Sequence, residues 1–238
     1  MLAGLLVAAT MIPVISGTQA VVTAGANVSE DVPIDFLAPP QAQRSEVKLA
    51  NGETLAYFFD ENRVYVPLDQ ISPAMRQAQL AIEDHRFYEH GALDLKSTLR
   101  ALVSNSTNDS TQGGSSITQQ YVKMVLVSEA AARGDQEGVA KAQERSLTRK
   151  VNELRYAMAV ERRLSKDQIL ERYLNIAYYG DGAYGVEAAA QHYFNISAKD
   201  LNLAEAAMLA GMVQNPEATN PTRRPAIPAA RRNAATSC

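Results

Sequence analysis

From Ser72 to about residue 220 apolar residues recur at helical spacing, broken by short polar or glycine-bearing connections. That periodicity commits most of the chain to a mainly α architecture. Within it, Ala81-Ile-Glu-Asp-His-Arg-Phe-Tyr-Glu-His-Gly91 gathers acids, histidines, two aromatics and an arginine at one helix end. Ser72-Pro73 reads as N-cap and first-turn proline, Met75, Ala78, Leu80, Ala81 and Ile82 as the apolar lead-in, and Gly91 as the stop. A carboxylate at Glu83, in the last turns of a helix apolar on one side, suits a cleft. A solvated helix end with ordinary ion pairs is the other reading.

The chain's 238 residues suffice for one large or two small domains with a substantial core. Hydrophobic content of 46% with 21% charged residues is that of a globular protein rather than a disordered one. A net charge of -3 argues against a general nucleic-acid binder, so an anion site must be a local cluster of cations. The single cysteine, Cys238, leaves no internal disulfide and no cysteine-based metal site.

No charge occurs before Glu30, and Leu2 to Val22 is largely apolar. A bilayer needs about 20 such residues as a helix, so residues 1–29 read as a membrane signal-anchor, with a buried core helix as the other reading; a signal peptide would carry a basic flank. Residues 30–72 form a proline-marked linker and a small β subdomain. There, 46–50 and 54–59 flank an Asn51-Gly52 turn, and Arg63 to Leu68 is a third strand candidate. Residues 73–220 are the helical body, and Asp94 reads as the cap of a helix carrying Leu95 and Leu99. Residues 221–238 form a tail.

Two further stretches carry chemistry. In Gln112-Gly-Gly-Ser-Ser-Ile-Thr-Gln-Gln-Tyr-Val-Lys-Met124 two glycines precede a capped helix start, a ready anion site. Ser116, Gln120 and Lys123 share a face apart from Ile117, Tyr121, Met124 and Val125. A phosphate-bearing ligand and a solvated amphipathic helix both fit. In Thr148-Arg-Lys-Val-Asn-Glu-Leu-Arg-Tyr156, Arg149 and Glu153 are i, i+4 partners, a local ion pair if nothing more. His85, His90 and His192 accompany no nucleophile motif, and HExxH spacing is absent. Ser165 with Gln168 is a capping box and Asn202 with Glu205 a near relative of one. Gly180, Gly182 and Gly185 mark a tight connection that reads as scaffold.

Taken in order, Glu83-Asp84 with Phe87, His90 and Asp94, then Gly113-Gly114 through Lys123, then Arg149-Lys150-Val-Asn-Glu153, resemble the motifs of family 51 glycosyltransferases. These are the peptidoglycan glycosyltransferase modules of class A penicillin-binding proteins and their monofunctional relatives. Leu164 to Asn175 with Tyr179 to Glu187, and Leu203 to Met212 with Asn215-Pro216, continue the resemblance across residues 60–225. Three departures are visible. Gly91 directly follows His90, Ser116 stands where the family usually has threonine, and 128–146 matches no motif.

The resemblance implies a lysozyme-like helical lobe with a membrane-proximal lobe. It implies inverting transfer on lipid II, extending a β-1,4 glycan and releasing undecaprenyl pyrophosphate. Glu83 would be the base and Lys123, Arg149 and Lys150 the pyrophosphate cations. Ser116 and Gln120 would be neutral donors, and Asp84, Phe87, His90 and Gly113 would line the substrate. Glu153 would hold the cations or help bind a divalent cation such as Mg or Mn; no cofactor is otherwise called for. Partners would be lipid II, the growing strand, the membrane and other cell-wall synthesis and division proteins. The catalytic domain would face the extracytoplasmic side of a bacterial membrane on a single pass. A lysozyme-like hydrolase would share the fold and Glu83 but has no use for the three cations; a non-catalytic wall-binding module would not need acids and cations together. The tail from Thr222 resembles the start of the linker to a transpeptidase domain, and both a fragment of a bifunctional enzyme and a monofunctional enzyme fit it.

Overall fold

The protein is described from a computed structural model in which residues 43–93, 115–144 and 146–223 are placed. The expected anchor over 1–29, the cap at Asp94, Gly113 and Gly114, and the tail beyond residue 223 lie outside the described residues. The chain divides into two compact units, one of residues 1–40 and 86–173, the other of 41–85 and 174–238.

In the second unit β1 (Ser45–Lys48) and β2 (Thr54–Phe58) pair antiparallel across the expected Asn51-Gly52 turn, with a register shift between Val47 and Lys48. Gly52 sits at φ 88°, where a side chain would be strained. The expected third strand does not join this ribbon. Only Asn62–Arg63 forms a strand there, β3, and it pairs parallel with β4 (Ala183–Tyr184). The reason lies in Val66. Its N–H donates to Asn175 Oδ1 at 2.9 Å and its carbonyl accepts from Asn175 Nδ2 at 2.8 Å, so a side chain takes both ladder groups. Pro67 then removes the next donor.

Helix α1 (Pro73–Glu83) starts as its sequence dictates. Ser72 Oγ accepts from the Met75 N–H at 3.1 Å with proline at the first position, and the helix ends with Glu83 as its final residue. Its apolar side is narrow: Met75 and Gln79 are buried, whereas Ala81 and Ile82 are exposed. It packs against the later helix α7 (Leu203–Met212).

In the first unit α2 (Ile117–Ala132) is followed by α3 (Gln136–Gln143), capped by Asp135, in the span where no motif could be matched. Helix α4 (Leu147–Arg163) is capped by Ser146, and both α3 and α4 pack on α2. Ile117, Tyr121, Val122 and Val125 of α2 are buried with Ala157 and Val160 of α4, the stripe that the 3.6-residue period sets.

Helix α5 (Lys166–Ile176) begins in the first unit, burying Ile169, Leu170 and Tyr173, and its last turn belongs to the second. The Ser165–Gln168 capping box forms as expected, with Gln168 Oε1 accepting from the Ser165 N–H at 2.8 Å. In the second unit α6 (Val186–Phe194), α7 and α8 (Pro216–Thr219) complete the helices, and α7 carries the Asn202–Glu205 capping box. Alanines 188, 189, 190, 206 and 210 are all buried there, which lets backbones approach closely. Gly180, Gly182 and Gly185 all take positive φ, confirming the tight connection. A Cβ on Gly185 would lie 2.7 Å from the Asn175 carbonyl oxygen, so that position admits no side chain.

Candidate active site

The Glu83 stretch ends α1 in the second unit. The Asp84 N–H donates to the Leu80 carbonyl at 2.9 Å, closing the helix, and the Asp84 side chain is buried. Glu83 itself is half-buried, with Oε1 out of reach of solvent. Its charge is felt by Tyr179, a wholly buried phenol whose ionisation is pushed up first by burial and then by the Glu83 carboxylate. His85 is exposed.

The continuation of that stretch belongs to the first unit. Phe87 is fully buried, its ring 4.3 Å from Lys166 Nζ, and Tyr88 donates through its hydroxyl to Asp167 Oδ1 at 2.8 Å. His90 is half-buried. Its Nδ1 lies 2.6 Å from the Gly91 carbonyl, so the proton sits on Nδ1. A Cβ on Gly91 would meet nothing within 4 Å among the described residues. The next carbonyl, of Ala92, accepts twice: from Ser116 Oγ at 3.1 Å and from Gln119 Nε2 at 2.8 Å.

The second and third stretches come together around one carboxylate. Glu153 is 3% exposed and both its oxygens are engaged, Oε2 by Arg149 Nη1 and Oε1 by Lys150 Nζ at 2.5 Å. The bland reading of Arg149 and Glu153 as an ion pair is therefore correct, but it is half of a larger arrangement. Arg149 Nε also donates to the Glu144 carbonyl. Lys150 Nζ reaches across to Ser115 Oγ at 2.6 Å, tying α4 to the head of α2. A buried anion thus holds two cations that keep part of their surface in solvent, 20% for the Arg149 side chain and 40% for Lys150. Each Glu153 oxygen thus carries one cation. No group of three or more potential metal ligands occurs among the described residues.

Three expected residues sit differently. Ser116 is buried. Its hydroxyl proton goes to Ala92, and its oxygen caps α2 by accepting from the Gln119 N–H at 3.3 Å. Gln120 donates to the Ser115 carbonyl at 3.4 Å and accepts from Tyr173 Oη at 3.2 Å. Both make these hydrogen bonds within their own unit. Phe87, with no exposed surface, is core. Lys123 is exposed and makes no ion pair among the described residues. Sequence reasoning missed Ser115, the acceptor for Lys150, and Gln119, the second donor to Ala92. The paired serines and paired glutamines were the available signal, but only one of each fell on the Ser116–Gln120–Lys123 face.

Residues 51–237 match the family model described as transglycosylase. The chain is 41% identical over 177 residues to penicillin-binding protein 1A of Neisseria gonorrhoeae, covering 74% of this chain and 20% of that protein. It is 36% identical over 182 residues to penicillin-binding protein 1F of Bacillus subtilis (strain 168), covering 76% of this chain and 24% of that protein. The chain spans about a fifth to a quarter of the length of these curated relatives. On this match and its order of motifs, the chain belongs to the transglycosylase family.

Proposed function

We propose that this chain is a peptidoglycan glycosyltransferase that polymerises lipid II into β-1,4-linked glycan, with inversion at the anomeric carbon and release of undecaprenyl pyrophosphate. The observation that carries the reading is the buried Glu153 holding Arg149 and Lys150 at the head of α2, in a member of the transglycosylase family. Cations held in advance at a leaving group stabilise its developing charge without reorganising during the reaction.

In this mechanism Glu83 takes the proton of the acceptor hydroxyl as that oxygen attacks the anomeric carbon. The bond from that carbon to the pyrophosphate oxygen breaks, and its electron pair leaves with the pyrophosphate. Lys123, Arg149 and Lys150 hold the departing group. Glu153 positions two of these cations, Ser116 and Gln120 belong to the first turn and cap of the helix whose head Lys150 meets, and Gly113 would bind the substrate from the chain before it. Asp84, Phe87 and His90 would bind the substrate from the stretch that follows the base in the chain, Phe87 by supporting that stretch from the core of its own unit.

The substrate is membrane-borne, which favours residues 1–29 as an anchor and an extracytoplasmic catalytic domain. Among the described residues no helix is long and apolar enough to cross a membrane. The growing strand and other cell-wall synthesis proteins would be its further partners.

Incubating the full chain with lipid II and sizing the product tests the reading. Polymer from the parent and none from Glu83→Gln, with the fold retained, is the expected result. Wild-type turnover in Glu83→Gln removes the base. Shortening of preformed glycan would favour a hydrolase instead.

A further inference from the structure

Residues 86–93 are fastened at two places within their own unit. Near their start, Phe87 lies under Lys166 and Tyr88 bonds Asp167, both in the first turn of α5. Near their end, both lone pairs of the Ala92 carbonyl are taken, by Ser116 Oγ and by Gln119 Nε2. Ser116 has a second task as the cap of α2, so its place is explained by the helix alone. Gln119 has no such duty.

The Gln119 side chain is almost wholly buried, and its amide is oriented by chemistry, since only Nε2 can donate to a carbonyl. That orientation leaves Oε1 buried with no hydrogen-bond partner among the described residues. A buried acceptor without a donor lowers stability, and such a group calls for a reason other than stability. Leucine would fill the same volume on the same helix without that cost, at the loss of one bond to Ala92. What Gln119 adds over leucine is the second bond that fixes the exit of the Glu83 stretch to the head of the helix bearing Lys123.

We propose that Gln119 is a positioning residue for the transfer reaction, holding Ala92, and with it the His90–Gly91 turn, through its side-chain amide. The proposal rests on the glycosyltransferase reading. It predicts a separation of catalysis from ligand binding, because the cations that hold pyrophosphate do not depend on the Ala92 contact. A misplacement of about 1 Å near a reacting group can lower a rate roughly 10²-fold.

The test uses the full chain. For Gln119→Leu we expect kcat on lipid II to fall at least about tenfold. Affinity for undecaprenyl pyrophosphate should stay within about twofold, and the melting temperature should be unchanged or higher. Gln119→Glu supplies a readout that packing alone would not move. Its ionised carboxylate cannot donate to Ala92 and repels that carbonyl, whereas its protonated form can donate. The rate of Gln119→Glu relative to the parent should therefore rise as pH falls toward 5.

An unchanged kcat in Gln119→Leu overturns the proposal. So does a parallel loss of kcat, affinity and melting temperature, which would make Gln119 an ordinary core residue, and so does a flat pH ratio for Gln119→Glu. Glu83→Gln assayed alongside keeps the two readings apart. Retained activity there removes Glu83 as base, while the Gln119→Leu rate still decides whether Gln119 positions the reaction.

Discussion

Lys150 Nζ donates to Ser115 Oγ at 2.6 Å, a contact that links two motifs 35 residues apart in the chain. Lys150 is simultaneously 2.5 Å from Glu153, which also binds Arg149. Arg149 and Lys150 are thus both held by one carboxylate, and Lys150 also by the serine that precedes the α2 cap. This makes the cation site a built arrangement, and its parts can be separated by mutation.

Removing the carboxylate opposes two effects. Glu153→Gln makes the site more positive, which by simple attraction strengthens anion binding, but it also frees both cations to move. We expect the second effect to win, with pyrophosphate-lipid affinity falling about tenfold as the preorganisation is lost. Breaking a fully buried pair costs roughly 3–5 kcal/mol, but Arg149 and Lys150 reach solvent, so about 2 kcal/mol of stability should go. Titration with undecaprenyl pyrophosphate and a urea unfolding curve measure both; tighter binding in the variant would show that attraction outweighs positioning.

Lys123 should behave differently from Lys150. It is exposed and makes no ion pair among the described residues, so Lys123→Ala should leave the melting temperature unchanged. A lost charge-assisted contact is worth about 1.5–3 kcal/mol, or roughly 10- to 150-fold in affinity for a pyrophosphate lipid. Lys150→Ala should lower both quantities, since it also strips Ser115 and Glu153 of a partner. Unchanged affinity in Lys123→Ala would take that lysine out of the phosphate site.

Asn175 and Gly185 should prove to be scaffold. Asn175 is buried and satisfies both backbone groups of Val66, so Asn175→Ala strands a donor and an acceptor and should cost about 3 kcal/mol. Gly185→Ala places a methyl against the Asn175 carbonyl at φ 79° and should be similarly damaging. Urea unfolding of each, with turnover per folded molecule, checks this. Stable but inactive variants would move the loop into the catalytic machinery.

Alkaline stability should reflect Tyr179. An unfolded tyrosine ionises near pH 10, while burial and then the Glu83 charge push the folded phenol above that. The folded state therefore keeps a proton that the unfolded state gives up. The contribution is complete below about pH 10 and is lost as pH rises beyond it, by about 1.4 kcal/mol per pH unit. Tyr121, pushed up mainly by burial, acts in the same direction. Tyr179→Phe should flatten the fall in stability between about pH 10 and 11, and should cost little at neutral pH because the Tyr179 hydroxyl makes no hydrogen bond among the described residues. An unaltered alkaline slope would show that the phenol ionises normally.

What the sequence by itself determined is local. Ser72-Pro73 starts α1, the period through Ile117, Tyr121 and Val125 gives α2 its buried side, and the Ser165–Gln168 and Asn202–Glu205 pairs cap their helices. These follow from residues within about one turn of each other, where backbone geometry alone fixes who meets whom. The ordered motifs carried the family for the same reason, as strings of residues read along the chain. Only tertiary structure decided the rest. That Val66 answers to Asn175 across 109 residues, and so leaves no third strand in the ribbon, has no local signal. Nor does the inward turn of Ser116 and Gln120, which depends on Ala92 and Tyr173 arriving from other segments. A helical period places a side chain on a face, but which partner that face meets, and whether a hydroxyl is spent inside or offered outside, is set by packing between segments far apart in sequence.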